Sequence, residues 1–191
     1  ASSWVAGADS HPDFPVQNLP FGIFSTGCSS PRIGVAIGDF IFDLQATSGR
    51  LDLSPEWNDA VRAALLQPTL NTLFELPTDA RKALRLAVFE LLTDRAQEPI
   101  ASSHLVAAQH CQMHLPLTVR DFTDFYAGIH HARTVGALLR PENSLLANYK
   151  YVPLGYHGRA SSVRASGADV VRPQGQIRPP GPDQPPVSAC P

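Results

Sequence analysis

Cysteine is scarce in this chain: Cys28, Cys111 and Cys190 are far apart and odd in number. That is not the even, closely set pattern of a disulfide-stapled secreted domain, so a reducing, cytoplasmic setting is expected. Long apolar runs are missing too. No stretch approaches the roughly 18 residues that would read as a membrane-spanning helix, which excludes the bilayer as a partner at the level of sequence. The segment from Ala1 to Asp9 has neither a basic n-region nor an apolar h-region, so the protein is expected to be soluble and unexported. The first residue is not Met, and the N-terminus is read as trimmed or incomplete. No excess of charge of one sign exists either. The formal net charge is -2, with Lys and Arg scattered along the chain, and nucleic acid is therefore not an expected partner. Finally, there is no Gly-x-Ser-x-Gly elbow, no P-loop and no dinucleotide fingerprint, which disfavours serine hydrolase, NTPase and classical dehydrogenase chemistry.

What is present is enough for one ordinary domain, or for a small domain and part of another: 191 residues, 43% of them hydrophobic. Residues 1–31 are rich in Pro, Ser and Gly, with a short apolar run, Phe21-Gly22-Ile23-Phe24, that reads as a strand. Two β-prone runs follow, Arg32 to Ile37 and Phe40 to Leu44. The Gly38-Asp39 pair between them suits the primed turns whose twist matches a hairpin. From Glu56 to Arg95 the periodicity becomes helical. Val61, Leu65 and Leu66 share one face, Pro68 opens a short segment through Leu70, Leu73 and Phe74, and Thr78 reads as an N-cap with Asp79 in the first turn. Leu84, Ala87, Val88, Leu91 and Leu92 then form an apolar stripe ending near Asp94. His114-Leu115-Pro116 marks an extended connection, and a boundary near residue 115 divides the chain into 1–115 and 116–191. Beyond Val163 the composition turns to Gly, Pro and polar residues and culminates in Arg178 to Pro186, expected to be extended and solvated. Its P-x-x-P spacing at Pro179, Pro182 and Pro185 permits an SH3-type contact and is read as accidental.

The residues able to do chemistry gather just past residue 115. Asp121 and Asp124 are three apart, so a helical turn would set both carboxylates on one side, either as an N-cap pair or as metal ligands. Asp124 and His131 are seven apart, two turns of a helix. His130 and His131 cannot share a helical face, so at most one of them belongs to a site; as a general base, that imidazole would need a carboxylate at its other ring nitrogen. Arg140 follows the apolar run from Val135 to Leu139, where a cation offsets the helix dipole or grips a substrate carboxylate. Tyr126 and Tyr156 could each donate to a substrate oxygen or to the surrounding structure, and Gly155 and Gly158 frame Tyr156-His157 as a tight exposed turn. His110-Cys111-Gln112-Met113-His114 holds soft-metal donors, but no second pair at zinc-site spacing follows, and a structural zinc is not expected. A carboxylate, phenols, imidazoles and a guanidinium in so short a stretch are what metal-assisted hydrolysis uses.

Asp13 to Gly22, Pro31 to Asp39, Asp121 to Tyr126, Asn143 to Leu146 and Pro153 to Ser162 occur in the order and composition of one family, and on these blocks the chain resembles the fumarylacetoacetases. The resemblance implies a mixed α+β, mainly β fold: an SH3-like small β-barrel with helices in the N-terminal domain, then the start of a β-sandwich roll catalytic domain. It further implies Ca2+ and/or Mg2+ as cofactor, a homodimer when full length, and hydrolysis of a carbon–carbon bond in a β-diketone acid, giving fumarate and acetoacetate, in tyrosine and phenylalanine catabolism. By motif position it makes Asp124 a metal ligand, His131 the base heading a His-Ala-x-x-Val-Gly run, and Tyr126, Arg140 and Tyr156 substrate-binding residues. The remaining ligands, a lysine near the metal and the carboxylate that orients the histidine are implied beyond Cys190. The isolated chain is therefore expected to have negligible activity and weak metal affinity. Two alternatives stand beside this: a non-catalytic structural or interaction module, and another activity of the wider superfamily such as acylpyruvate hydrolysis, against which the long N-terminal domain argues.

Overall fold

A computed structural model describes residues 2–152, 154–158, 160–172, 174–177 and 187–189. The proline-rich P-x-x-P segment, Arg159 and Cys190 lie outside the described residues. Three strands open the fold: β1 (Phe21–Ser25), β2 (Arg32–Ile37) and β3 (Phe40–Asp43). They form an antiparallel meander in which Phe21 pairs Val35 and Ile37 pairs Phe40. Gly38 sits in the turn at φ +54°, the left-handed region a primed hairpin turn demands, as the Gly-Asp signal indicates. Asp43 ends β3 and caps α1 (Leu44–Thr47), its carboxylate accepting from the Ala46 N–H at 3.0 Å while also meeting Arg32 Nε at 2.6 Å.

The helical stretch resolves into α2 (Pro55–Leu65), α3 (Asn71–Glu75), α4 (Thr78–Thr93) and α5 (Glu98–Ala101). The stripe from Leu84 to Leu92 is buried throughout, as are Val61, Leu65, Leu70 and Leu73. Leu66 and Phe74 depart from expectation, at 58% and 45% exposed. Leu66 is the C-cap of α2, where the chain has left the helical repeat, and Phe74 lies at the end of a one-turn helix too short to bury a second face. Thr78 is the first helical residue rather than the cap, a role Pro77 fills with its fixed φ and extended ψ.

Two short strands, β4 (Leu105–Ala107) and β5 (Gln112–His114), complete a five-stranded antiparallel sheet in the order β4-β3-β2-β1-β5. The edges of a flat sheet of this size would stand about 19 Å apart. Here the two edge strands are consecutive and joined only by Ala108 to Cys111, which fold into a tight turn with Cys111 N–H bonded to the Ala108 carbonyl at 3.0 Å. The sheet must therefore curl until its edges approach, a half-barrel with α2 and α4 contributing to a common apolar core. Among the described residues helix outweighs strand, which corrects the expectation of a mainly β chain to a mixed one: the apolar stripes of α2 and α4 supply much of the core that a fully closed barrel would fill from its own strands.

The core draws buried side chains from Trp4 to Ala101, and Leu117 packs against it. The hydrogen bonds Leu70 N–H to Pro116 O (2.8 Å) and Thr118 N–H to Asn71 Oδ1 (2.9 Å) fasten the segment that follows β5. Beyond it lie β6 (Thr123–Tyr126), α6 (Ile129–Leu139) and β7 (Leu154–His157), with β6 and β7 paired antiparallel; β8 (Gly175–Ile177) and β9 (Val187–Ala189) form a separate ribbon. Among the described residues no helix is long and apolar enough to cross a membrane.

Candidate functional site

The segment carrying Asp121 and Asp124 is not helical. Thr123 to Tyr126 alternate as a strand, with Thr123 and Tyr126 β-favouring and Phe125 set opposite Gly155 in the register. Asp124 and Tyr126 thus share one face of β6, and the helical-face arguments linking Asp121 to Asp124, and Asp124 to His131, do not hold. Contact is reached by another route. The ribbon register sets Asp124 directly opposite Tyr156. After Gly128 the chain turns into α6, whose third residue is His131, and the Tyr126 ring stands edge-on to the His131 ring at 5.1 Å and to the Tyr156 ring at 5.9 Å. Tyr156 is itself a strand residue, and the tight turn expected around it is not there: Gly158, at φ +113°, follows the strand with its N–H bonded to the Phe122 carbonyl at 2.9 Å. Gly155 has a different purpose, since a Cβ there would come within 2.9 Å of the Phe125 ring.

Arg140 caps the C-terminal end of α6, its N–H bonded to the Gly136 carbonyl at 2.7 Å, as the end of the apolar run indicates. Together with Tyr126, Tyr156 and Tyr149 it lines a small cavity of about 80 Å³. Asp124, His131 and Arg140 are exposed, and Tyr156 is half-exposed, so the cluster forms an open face rather than an enclosed pocket. The structure brings together a carboxylate, an imidazole and two phenols, with a guanidinium on the small cavity that the two phenols line. His130, next to His131, makes none of the ring contacts that His131 makes.

Two relationships differ from what the chemistry asks. Asp121 approaches His157, at 3.9 Å, and not His131, so the described residues give His131 no orienting carboxylate. The fit to a divalent cation is also incomplete. Among the described residues there is no group of three or more His, Cys, Asp or Glu able to hold an ion. Asp124 is one anionic donor, against the six or so oxygens that Ca2+ or Mg2+ takes, and the described residues do not fit the metal by themselves. The soft donors near His110 are engaged elsewhere: His114 Nε2 meets the Ser25 hydroxyl at 2.8 Å, and the Cys111 thiol lies 3.5 Å from the Ala107 carbonyl. Burial pushes the Cys111 thiol pKa up, with the Arg32 charge pulling the other way.

Sequence reasoning passes over Tyr149 and Gly136. Tyr149 lies in a short 3-10 turn with no periodicity to mark it, and its hydroxyl donates to the Tyr126 carbonyl. Gly136 had a signal: a glycine inside an apolar helical run implies a close approach, and here a Cβ would collide with the Ser144 carbonyl oxygen.

The family model described as "Fumarylacetoacetase N-terminal" matches residues 17–116. Curated relatives named fumarylacetoacetase align over nearly the whole chain. That of Caenorhabditis elegans is 44% identical over 180 residues, 91% of this chain and 43% of the relative. That of Homo sapiens is 41% identical over 185 residues, 93% and 44% respectively. That of Arabidopsis thaliana is 40% identical over 190 residues, 94% and 44%. The chain thus spans somewhat under half the length of these relatives.

Proposed function

We propose, since the chain belongs to the fumarylacetoacetase family, that its residues supply the first part of a metal-dependent site that hydrolyses a carbon–carbon bond in a β-diketone acid, fumarylacetoacetate, to fumarate and acetoacetate. The observation that carries the reading is the convergence of His131 and Tyr156 on the Tyr126 ring, with Asp124 opposite Tyr156 across the ribbon. In it, the Tyr126 and Tyr156 hydroxyls donate to substrate oxygens and the Arg140 fork pairs with a substrate carboxylate. His131 accepts the proton of the attacking water. Asp124 is the one donor here for the Ca2+ or Mg2+ that the family resemblance implies, and the other donors, with the acid that orients His131, come from polypeptide outside the described residues. The exposed apolar side chains of Phe125, Leu138, Leu139, Tyr151 and Val152 are surface that such polypeptide, or a second subunit of a homodimer, would cover. We also read the curled sheet of the N-terminal unit as an SH3-like small barrel.

A chimera tests the reading. Residues 1–191 replace the matched portion of the C. elegans relative, and hydrolysis of fumarylacetoacetate is followed. Turnover is expected, with His131→Ala lowering kcat by about 10²-fold or more. A folded chimera without turnover, beside an active parent, would overturn the assignment. The uneven burial of the chain favours a second reading, a non-catalytic module built on the N-terminal core. A folded, inactive chimera is the result that would support it.

A further inference from the structure

Beyond Thr118, Ala132 and Tyr149 are the buried hydrophobic side chains among the described residues. The Tyr149 ring is 8% exposed, and its hydroxyl donates to the main-chain carbonyl of Tyr126, the residue whose ring meets both His131 and Tyr156. The turn holding Tyr149, Ala147–Lys150, follows the segment in which Ser144 packs so tightly on α6 that only glycine fits at position 136. One short stretch of chain therefore touches two elements at once: the helix bearing His131 and Arg140, and the strand bearing Asp124 and Tyr126. That matters because, among the described residues, β6 pairs with β7 alone, and a two-stranded ribbon is marginal by itself. Its placement against α6 needs a cross-tie. The Tyr149 hydroxyl supplies one at the end of the strand, next to the turn that leads into α6.

We infer that Tyr149 is a positioning residue: its hydroxyl fixes the end of β6 and so holds the Tyr126 ring against His131. The functional meaning rests on the reading of Tyr126 and His131 as site residues, whereas the placement does not. Tyr149→Phe keeps the ring and removes only the donor. In the 191-residue chain with labelled tyrosine and histidine rings, the nuclear Overhauser contact between the Tyr126 and His131 ring protons is expected to weaken severalfold. The His131 ring resonances should move toward those of free histidine, while signals from Ile23, Phe42 and Leu84 stay in place. Tyr151→Phe, at a ring 85% exposed, should change none of these. Unchanged Tyr126 and His131 signals in Tyr149→Phe would overturn the inference, and so would loss of the core signals, since a clamp confined to the site leaves that core intact. In the chimera, Tyr149→Phe should lower kcat more than it raises KM. An active chimera with both constants unaltered would sink the positioning role and leave the functional assignment standing, whereas an inactive chimera whose ring contact still depends on Tyr149 would do the reverse.

Discussion

Single side chains set the tolerances of this protein. Asp43 accepts from both Arg32 and the first turn of α1, and Arg32 also lies over the Phe24 ring, 4.4 Å from its centroid. Asp43→Ala removes the cap and leaves a largely buried guanidinium without its carboxylate, still held by the Ser29 hydroxyl; a loss of about 3 kcal/mol is expected, read from the urea midpoint. Gly136 leaves no room at all. Gly136→Ala should cost about 1–3 kcal/mol, seen as faster hydrogen exchange of α6 amides with the N-terminal core unaffected. The two free thiols among the described residues differ in access, Cys28 being exposed and Cys111 partly covered with its pKa raised by burial. Alkylation near pH 8 should modify Cys28 well before Cys111, and peptide mapping over time would check it. A raised thiol pKa also has a sign for stability. The folded chain holds that proton more tightly than the unfolded one, so the Cys111 contribution is present below the ordinary thiol pKa of about 8.5 and fades as pH rises through the folded value.

At the level of elements, Gly38 is the clearest hinge between sequence and fold. Its φ of +54° is costly for any residue with a Cβ, and a Cβ there would stand 3.3 Å from the Ala6 carbonyl. Gly38→Val should therefore destabilise the N-terminal unit by about 1–2 kcal/mol or more, measurable by thermal unfolding. This hairpin was legible because two β-prone runs and a Gly-Asp pair all point the same way. The stripe on α4 was legible because Leu84 to Leu92 repeat at helical spacing. The site was legible by residue type and not by geometry. Helical spacing implied that Asp124 and His131 share a face, whereas Asp124 lies on a strand and His131 on the helix after it. A four-residue strand has too short a pattern to outweigh a seven-residue spacing that fits two helical turns. The pairing of β1 with β5 was not legible at all, since Ile23 and His114 are brought together by the whole intervening chain and no local signal encodes that.

Across the molecule, burial is lopsided. The main apolar core takes its buried side chains from residues 4 to 101, with Leu117 at its margin, while Leu138, Leu139, Tyr151, Val170 and Val171 stay exposed. Limited proteolysis should cut first after Thr118 and leave a resistant fragment ending near it, as gel bands identified by mass would show. Calorimetric titration with Ca2+ should show no binding tighter than about millimolar, because one carboxylate is a weak claim on a hard ion. The joining of both sheet edges through Ala108 to Cys111 has a consequence for biosynthesis. Strands β1 to β3 leave the ribosome early, yet the edge at Ile23 to Ser25 waits for Gln112 to His114 before it is sealed. Throughout that interval the nascent polypeptide carries an open, apolar β-edge, so slowing translation between Asp43 and Gln112 should raise its demand for chaperones.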